Sequence, residues 1–296
     1  MSSMYRSRDR LQMYTGMLPG LLVYFLFGVV PSVATAVISL TNYSGIPGIS
    51  VQFIGLTNYV QAFVLDLTGL VGSVRDTLVF AISVTLLQNI FALGLAHLFT
   101  KKYPGRALFR SLVFMPASLG VTVIGLTWAL IFNPSGGPAA NFLSLWGGNS
   151  AFFGSNSLAM PLVIFVQIWA NLGFTTIVYL AGMNTVPEEL YEAAKIDGAN
   201  GWRMFRNVTF PMIAPSTTVN VLLAAVGSLN TYDLIYVLTD GLYHTNTLGM
   251  YMFNTAFQGS SNLGLAAAIN MVEFIITLIV ALILQKILRK REEALG

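Results

Sequence analysis

Charged side chains are scarce in this sequence. Lysine, arginine, aspartate and glutamate make up 9% of its 296 residues, whereas they make up about a quarter of a soluble domain. A soluble protein of this size needs a polar surface that this composition cannot supply. Hydrophobic residues account for 55% of the chain, which excludes intrinsic disorder and a nucleic-acid-binding surface. The composition therefore predicts an all-α membrane protein that crosses the bilayer several times.

Cysteine is absent and histidine occurs only twice. The chain thus has no disulfide framework, no thiolate nucleophile and no cysteine-based metal site. His97 and His244 are isolated in the sequence, so we predict no metal ligands. The only acids within the apolar stretches are Asp233 and Glu273, which lie in different stretches. Because an enzyme needs a convergent set of such groups, we assign no catalytic residue.

Six apolar stretches have about the 20 residues that a membrane-spanning helix needs. We predict one transmembrane domain over 1–296, with spans at about 15–40, 77–99, 112–132, 158–183, 212–238 and 263–288. The first is predicted to be an uncleaved signal anchor, because its apolar run is too long for a signal peptide.

The basic residues are strongly segregated along the chain. Fourteen of the fifteen lie in the N-terminal tail, the second–third loop, the fourth–fifth loop or the C-terminal end. Six spans would place these four segments on one side of the membrane and leave only Arg75 on the other. The positive-inside rule then predicts a multi-pass protein of the plasma (inner) membrane with both termini in the cytoplasm.

The fourth–fifth loop, 184–211, carries local helix signals. Thr185 followed by Glu188 is a capping box, and Pro187 lies near the first helical position, so a helix is predicted to begin there. Gly198 is predicted to end that helix, because glycine tolerates the left-handed conformation.

A second short helix is predicted after Asn200, whose side chain can cap it. Trp202, Phe205 and Val208 recur every three residues and give one apolar face that can lie on the membrane surface. Spacing alone leaves two interpretations open: an interfacial hairpin that caps the bundle, and a docking site for another protein.

The loop resembles the EAA loop of the membrane subunits of binding-protein-dependent ABC importers. The matching positions are Glu192-Ala193-Ala194, Asp197-Gly198-Ala199, Phe205, Phe210-Pro211 and Pro215. Two further stretches are similar to the sugar-importer, MalF-like branch of that family. They are Phe53-Ile54-Gly55-Leu56-Thr57-Asn58-Tyr59, and the segment from Phe109-Arg110 through Met115-Pro116 and Trp128 to Asn133-Pro134.

The resemblance implies the type I ABC importer permease fold, with six transmembrane helices and a cytoplasmic coupling helix. It assigns ATPase coupling to Glu192, Ala193, Ala194, Asp197, Gly198 and Ala199. In this family the coupling helix sits in a groove on an ATPase, whose ATP-driven closure turns the permease from inward-open to outward-open. The chain has no G-x-x-x-x-G-K-[ST] phosphate loop. We therefore expect no cofactor on this chain, and ATP and Mg²⁺ on the partner ATPase.

The resemblance also implies the partners. They are a second permease subunit, expected to be a different chain, two cytoplasmic ATPase subunits and an extracellular solute-binding protein. The expected substrate is a carbohydrate, a di- or oligosaccharide. The lipid bilayer surrounds the chain, and no nucleic acid is expected.

Polar residues within the spans are candidates for the substrate pathway, because in lipid they should face a cavity or another helix. The candidates are Asn171, Gly173, Thr176, Ser228, Asn230, Thr231, Tyr232, Asp233, Tyr236 and Glu273. The run 228–233 is also where importers that this chain resembles place substrate contacts. The other interpretation is bonding between helices, which we expect for Gln88 and Asn89.

Alternative functions are a stand-alone secondary transporter, a membrane-embedded enzyme and a structural scaffold. A secondary transporter often has repeated halves with broken helices in matching positions, and no such repeat is found here. Asp233 and the lack of lysine or arginine in mid-membrane argue against an anionic substrate.

Overall fold

The computed structural model describes residues 16–258 and 261–293. Apart from the single turn Phe210–Met212 and short π and 3₁₀ segments, its helices in chain order are α1 (Gly16–Ile38), α2 (Thr57–Val60), α3 (Leu67–Thr100), α4 (Arg106–Phe114), α5 (Val121–Ile131), α6 (Pro138–Ser144), α7 (Ala159–Asn184), α8 (Glu188–Ile196), α9 (Gly201–Met204), α10 (Ala214–Leu229), α11 (Asp233–Thr239), α12 (Leu248–Phe257) and α13 (Leu263–Glu293). Within the described residues the only extended pairing is a single bridge between Thr41 and Phe53.

The chain divides into two compact units. The smaller comprises the described residues up to Asp66 together with those of Asn254–Met271, and the larger comprises Leu67–Phe253 and the described residues from Val272 onward.

In the smaller unit, side-chain hydrogen bonds fix the segment that follows α1. The buried Asn58 amide donates to the carbonyl oxygens of Ser39 and Thr41, each at 2.8 Å. The hydroxyls of Ser39 and Tyr59 are also 2.8 Å apart. The two amide bonds satisfy carbonyls that directly follow the end of α1. The segment 53–59 thus holds the chain where it leaves the first span.

Four helices are long and apolar enough to cross a membrane: α1, α3, α7 and α13. Two further candidates are bent pairs, Arg106–Ser118 with α5 at 107° and Gly201–Met212 with α10 at 71°. By length and composition the described residues therefore hold four such helices, or six if each bent pair is one span.

The region of the predicted third span, 112–132, differs from a continuous helix. Pro116 lies in a 3₁₀ turn, Met115–Ser118, and the next two residues are extended, with ψ of 145° at Leu119 and 146° at Gly120. Because proline has no backbone N–H to donate, the helix is weakened at this point. The fifth span, predicted at 212–238, likewise has a helix that ends at Leu229, and three residues separate it from α11.

Polar bonds join α3, α7 and α10 inside the larger unit. Gln88 donates to the Thr175 hydroxyl at 2.7 Å, and the Tyr179 hydroxyl donates to Asn89 at 2.7 Å. The Asn220 amide donates to the Thr175 carbonyl oxygen at 3.1 Å. The prediction that Gln88 and Asn89 bond neighbouring helices is confirmed, and these bonds give three apolar helices a fixed register.

Candidate functional site: a loop hairpin and a cavity at two helix breaks

The loop after α7 folds as two short helices, which we call the EAA hairpin (188–212). Its first helix, α8, begins at Glu188, as predicted, but the capping box is wrong. The Thr185 hydroxyl donates to the Gly182 carbonyl oxygen at 2.8 Å, so it closes α7 instead of opening α8. Among the described residues no side chain caps α8, and Pro187 precedes it. The last carbonyls of α7 also need hydrogen-bond donors, and the Thr185 hydroxyl satisfies one of them.

The turn at Gly198 is confirmed. Gly198 has φ +73°, its N–H donates to the Lys195 carbonyl oxygen at 3.0 Å, and the Ala199 N–H donates to Ala194 at 2.9 Å. These two bonds are the Schellman motif, which satisfies the last carbonyls of a helix and needs a left-handed residue. The sequence Asp197-Gly198-Ala199 thus stops α8 sharply and reverses the chain.

The second helix starts as predicted, but its apolar face is altered. Asn200 accepts a hydrogen bond from the Arg203 N–H at 2.9 Å, which is the expected cap. After α9 the chain forms a π-helical turn, Phe205–Thr209, which changes the helical register. Trp202 stacks on Phe205 with ring centroids 5.8 Å apart, and Trp202 remains 68% exposed.

The six predicted coupling residues lie on α8 and its turn. Glu192, Ala193, Asp197 and Gly198 are exposed, whereas Ala194 and Ala199 are half-buried. Beside them Ile196 is 87% exposed. This outer face combines two acids, small side chains and a protruding apolar residue, with no covering element among the described residues. Such a surface suits a protein partner.

The inner side of the EAA hairpin is attached to the helix bundle. Within the hairpin, the Tyr191 and Thr209 hydroxyls are 3.1 Å apart. Towards the bundle, the Phe205 ring meets His97 of α3 edge-on at 5.0 Å. The Arg291 guanidinium of α13 lies 4.3 Å from the centre of the Phe210 ring. A movement of the hairpin would therefore be transmitted directly to α3 and α13.

We predict that the Arg291–Phe210 contact stabilises this attachment by about 1 kcal/mol, the size of a partly exposed cation–π interaction. In a double-mutant cycle of Arg291→Gln and Phe210→Leu, thermal unfolding of the purified protein should show a coupling of that size. Arg289→Gln, which removes an exposed charge two residues away, is the control and should show no coupling with Phe210→Leu. Equal coupling for both arginines would contradict the assignment.

A cavity of about 530 Å³ opens where the two broken helices meet α7. We call it the break cavity. Its walls come from the break between α4 and α5, from the middle of α7 and from the break between α10 and α11. The residues that line it include Pro116, Ala117, Leu119, Gln167, Asn171, Phe174, Asn230, Thr231, Tyr232 and Asp233. Each helix interruption thus supplies one wall.

Five predicted pathway residues line the break cavity: Asn171, Asn230, Thr231, Tyr232 and Asp233. Each asparagine donates one hydrogen bond to its own helix, to Gln167 at 3.0 Å and to Val226 at 2.7 Å. An asparagine side chain has a second N–H and an acceptor oxygen to offer a ligand. Asp233 accepts from the Leu234 N–H at 2.8 Å.

Other predicted pathway residues lie outside the break cavity. The buried Thr176 and Ser228 hydroxyls donate to the carbonyl oxygens of Leu172 and Ala224 in their own helices. Ser228 lines a neighbouring cavity of about 200 Å³ instead. Tyr236 is 45% exposed and contacts Phe253, with ring centroids 5.0 Å apart.

Gly173 is a packing position. A methyl group at Gly173 would lie 2.6 Å from the carbonyl oxygen of Val113 and 2.8 Å from the Cα atom of Phe114. Both are backbone atoms, which cannot move aside as a flexible side chain can. Gly173 therefore lets α7 approach the backbone of α4 directly.

Glu273 is buried, with only 4% of its surface exposed. Its Oε1 atom has no hydrogen-bond partner among the described residues. The carboxyl group lies against Gly249, where an added Cβ would be 3.2 Å from Oε1. A glycine at this position leaves room for the acid beside α12, and the same added Cβ would also lie 3.2 Å from the Tyr232 Cβ atom. Glu273 itself does not appear in the lining of the break cavity.

Sequence reasoning missed Gln167, Phe174 and the Pro116–Leu119 break as parts of the cavity. Gln167 and Phe174 lie four residues before and three after Asn171, so the three share one helix face. That spacing could have identified them once Asn171 was chosen. Pro116 within an apolar stretch was a second available signal.

Comparison with known proteins gives close and extensive matches. The chain is 28% identical over 295 residues to the trehalose/maltose transport system permease protein MalF of Thermococcus litoralis, covering 99% of each chain. It is 31% identical over 259 residues to the probable ABC transporter permease protein y4oQ of Sinorhizobium fredii, covering 86% of this chain and 83% of that one.

Among solved structures, the fold is similar to a chain of a bacterial alginate ABC transporter, crystallised in complex with an alginate pentasaccharide-bound periplasmic protein. The TM-score is 0.83 at 23% identity, with 97% of this chain and 96% of that chain covered. The predicted ABC importer permease fold is therefore confirmed.

One family matches residues 88–293, a range that includes the EAA hairpin and the break cavity. It is described as the binding-protein-dependent transport system inner membrane component. The match covers more than half of the chain and confirms the resemblance first indicated by the EAA loop. The chain therefore belongs to the family of inner membrane components of binding-protein-dependent transport systems.

Proposed function

We propose that this chain is the permease subunit of an ATP-driven importer that moves a neutral di- or oligosaccharide across the plasma membrane. The observation that carries the proposal is the break cavity, in which Asn171, Asn230 and Asp233 present polar groups at helix interruptions. The relative from Thermococcus litoralis is named for trehalose and maltose transport, which agrees with this substrate class.

The charge of the break cavity favours a neutral sugar. Its described lining contains one acid, Asp233, and no lysine or arginine. A carboxylate accepts hydrogen bonds from sugar hydroxyls, and an amide both accepts and donates them. An anionic sugar would need a cation to offset its charge. The substrate of the alginate transporter is an acidic polysaccharide, so we expect the two cavities to differ in charge.

Coupling to ATP is assigned to the outer face of the EAA hairpin. Ala193 and Gly198 leave the backbone accessible there, and Ile196 protrudes beside them. We propose that this face docks on one of two cytoplasmic ATPase subunits, which would hold ATP and Mg²⁺. A second permease, a different chain, would complete the pathway, and an extracellular binding protein would deliver the sugar.

The proposed orientation puts the EAA hairpin and both termini in the cytoplasm. The basic residues support it, because Arg203 and Arg206 lie in the hairpin and Lys286, Arg289 and Arg291 lie at the end of α13.

Replacing Asn171 with leucine should lower the maximal rate of uptake about tenfold, because one sugar hydroxyl loses its hydrogen-bond partner in the break cavity. The half-saturation concentration should change much less, because the binding protein that delivers the sugar sets it. Uptake kinetics in cells that express the whole transporter measure both values. Asn141→Leu, an equivalent change at an exposed residue outside the cavity, should leave both unchanged. Equal effects of the two substitutions would contradict a binding role for Asn171.

The substrate class is tested by purifying the cognate binding protein and identifying its bound ligand by mass spectrometry. A neutral di- or oligosaccharide supports the proposal. An amino acid, a metal complex or an acidic sugar would overturn the assigned substrate.

A further inference from the structure

A cavity of about 760 Å³ lies between the EAA hairpin and the ends of α3 and α7. We call it the hairpin cavity. Helix α3 contributes Gly94 and His97, Lys101 directly follows the end of α3, and the hairpin contributes Trp202 and Phe205. The exposed coupling residues Glu192, Ala193, Asp197 and Gly198 are absent from its lining. The hairpin cavity is therefore separate from the face assigned to the ATPase.

One wall of the hairpin cavity is aromatic. Phe205 contacts His97 edge-on at 5.0 Å and stacks with Trp202 at 5.8 Å. Trp202 is 68% exposed although its indole is a large apolar surface. An exposed tryptophan on a membrane protein is typical of the boundary between the bilayer core and water. Helix α3 is apolar enough to cross a membrane, and its end at Thr100 lines the cavity, which agrees with such a boundary.

The other side of the hairpin cavity is positive. Lys101 lines it, and the described lining contains no aspartate or glutamate. A site with an apolar aromatic wall and a cationic edge matches a ligand that has an apolar chain and an anionic head. Its volume lies within the range of about 300–1,000 Å³ found for small-molecule sites.

We propose that the hairpin cavity binds an anionic phospholipid, with the phosphate at Lys101 and an acyl chain along Trp202 and Phe205. Basic pockets between transmembrane helices on the cytoplasmic side bind such head groups. The proposal rests on the proposed function for the cytoplasmic position of this end. Because Phe205 belongs to the EAA hairpin, the lipid contacts the element that couples the ATPase to the membrane helices.

Two substitutions test the site, one by removing its charge and one by filling its volume. Lys101→Gln removes the positive charge, and Lys102→Gln is its control, since Lys102 is adjacent and exposed but does not line the cavity. Gly94→Leu fills the cavity, because a Cβ at Gly94 meets no atom of the described residues within 4 Å. Gly72→Leu is the control for that change, because Gly72 lies in the same helix and a Cβ there also meets no described atom within 4 Å.

The experiment is native mass spectrometry of the delipidated transporter, titrated with dioleoylphosphatidylglycerol or dioleoylphosphatidylcholine. The wild-type protein and both controls should bind phosphatidylglycerol preferentially. Lys101→Gln should weaken that binding about fivefold, the effect of one cation near a lipid head group. Gly94→Leu should remove the tightly bound lipid. Excess glycerol 3-phosphate should not displace it, because the acyl chain supplies part of the binding.

Equal affinities for Lys101→Gln and Lys102→Gln, or an unchanged Gly94→Leu variant, would overturn the lipid site. Displacement by glycerol 3-phosphate would assign the cavity to a soluble phosphate instead. The same titration is also made on the full-length chain purified alone, so that the lipid site is tested independently of assembly. Failure of the chain to assemble with ATPase subunits would count against the proposed function and not against the lipid site.

Discussion

Replacing Ala193 with tryptophan is expected to reduce sugar uptake more than a hundredfold while the chain remains folded in the membrane. Ala193 is exposed on α8, so the indole projects into solvent and does not disturb the hairpin. It would instead block the close approach of an ATPase subunit to the helix backbone. Surface substitutions change stability by only about 0.5 kcal/mol. Copurification of the ATPase and the rate of uptake measure the loss.

The matched control is Lys195→Trp, which places the same side chain on the same helix. Two residues along a helix correspond to a rotation of about 200°, so Lys195 points to the opposite side from Ala193. Lys195 is also exposed. The Lys195→Trp variant should retain ATPase binding and most of the transport. If both tryptophans abolish transport equally, the effect is general damage to the loop and not a blocked docking face.

Replacing Gly173 with alanine is expected to destabilise the folded chain by at least 2 kcal/mol and to remove most of it from the membrane. The added methyl group would lie 2.6 Å from the Val113 carbonyl oxygen and 2.8 Å from the Phe114 Cα atom. Overpacking of this kind typically costs about 1–3 kcal/mol when side chains can move. Here the obstacle is backbone, so α4 would have to shift away from α7. Thermal unfolding in detergent and the yield of folded protein measure the effect.

Gly72→Ala is the comparison, because an added Cβ at Gly72 in α3 meets no atom within 4 Å in the part of the chain that the structure describes. That change should be neutral or stabilising by up to about 1 kcal/mol, since alanine favours a helix over glycine. The two glycine substitutions should therefore act with opposite signs. If Gly173→Ala folds normally but loses substrate affinity, Gly173 contacts the sugar and is not a packing position.

The EAA hairpin was predictable because its signals are local. Gly198 ends α8 and Asn200 caps α9 through bonds that span at most five residues. The capping box failed because Thr185 had two possible partners, and only the three-dimensional end of α7 decides between them. Local sequence identifies a capable residue without showing which helix end will use it.

The break cavity was predictable only in part. Hydropathy measures whether a segment is apolar, and it does not report whether the helix is interrupted within that segment. It therefore predicted continuous spans where Leu119 and Gly120 are extended and where α10 ends at Leu229. The polar run after Leu229 was the available signal for the second break. Gly173 was predicted to line the substrate pathway but lies in a packed helix crossing. The sequence alone does not distinguish a glycine at such a crossing from a glycine in a cavity wall.

The most direct test of the central claim is uptake of a labelled sugar into proteoliposomes. They would contain this chain with its partner permease and ATPases, and the sugar would be the one carried by the cognate binding protein. The account predicts uptake that requires both internal ATP and the external binding protein, and that is lost with Ala193→Trp. Uptake by this chain alone, driven by a proton or sodium gradient without ATPase subunits, would contradict it and assign a secondary transporter.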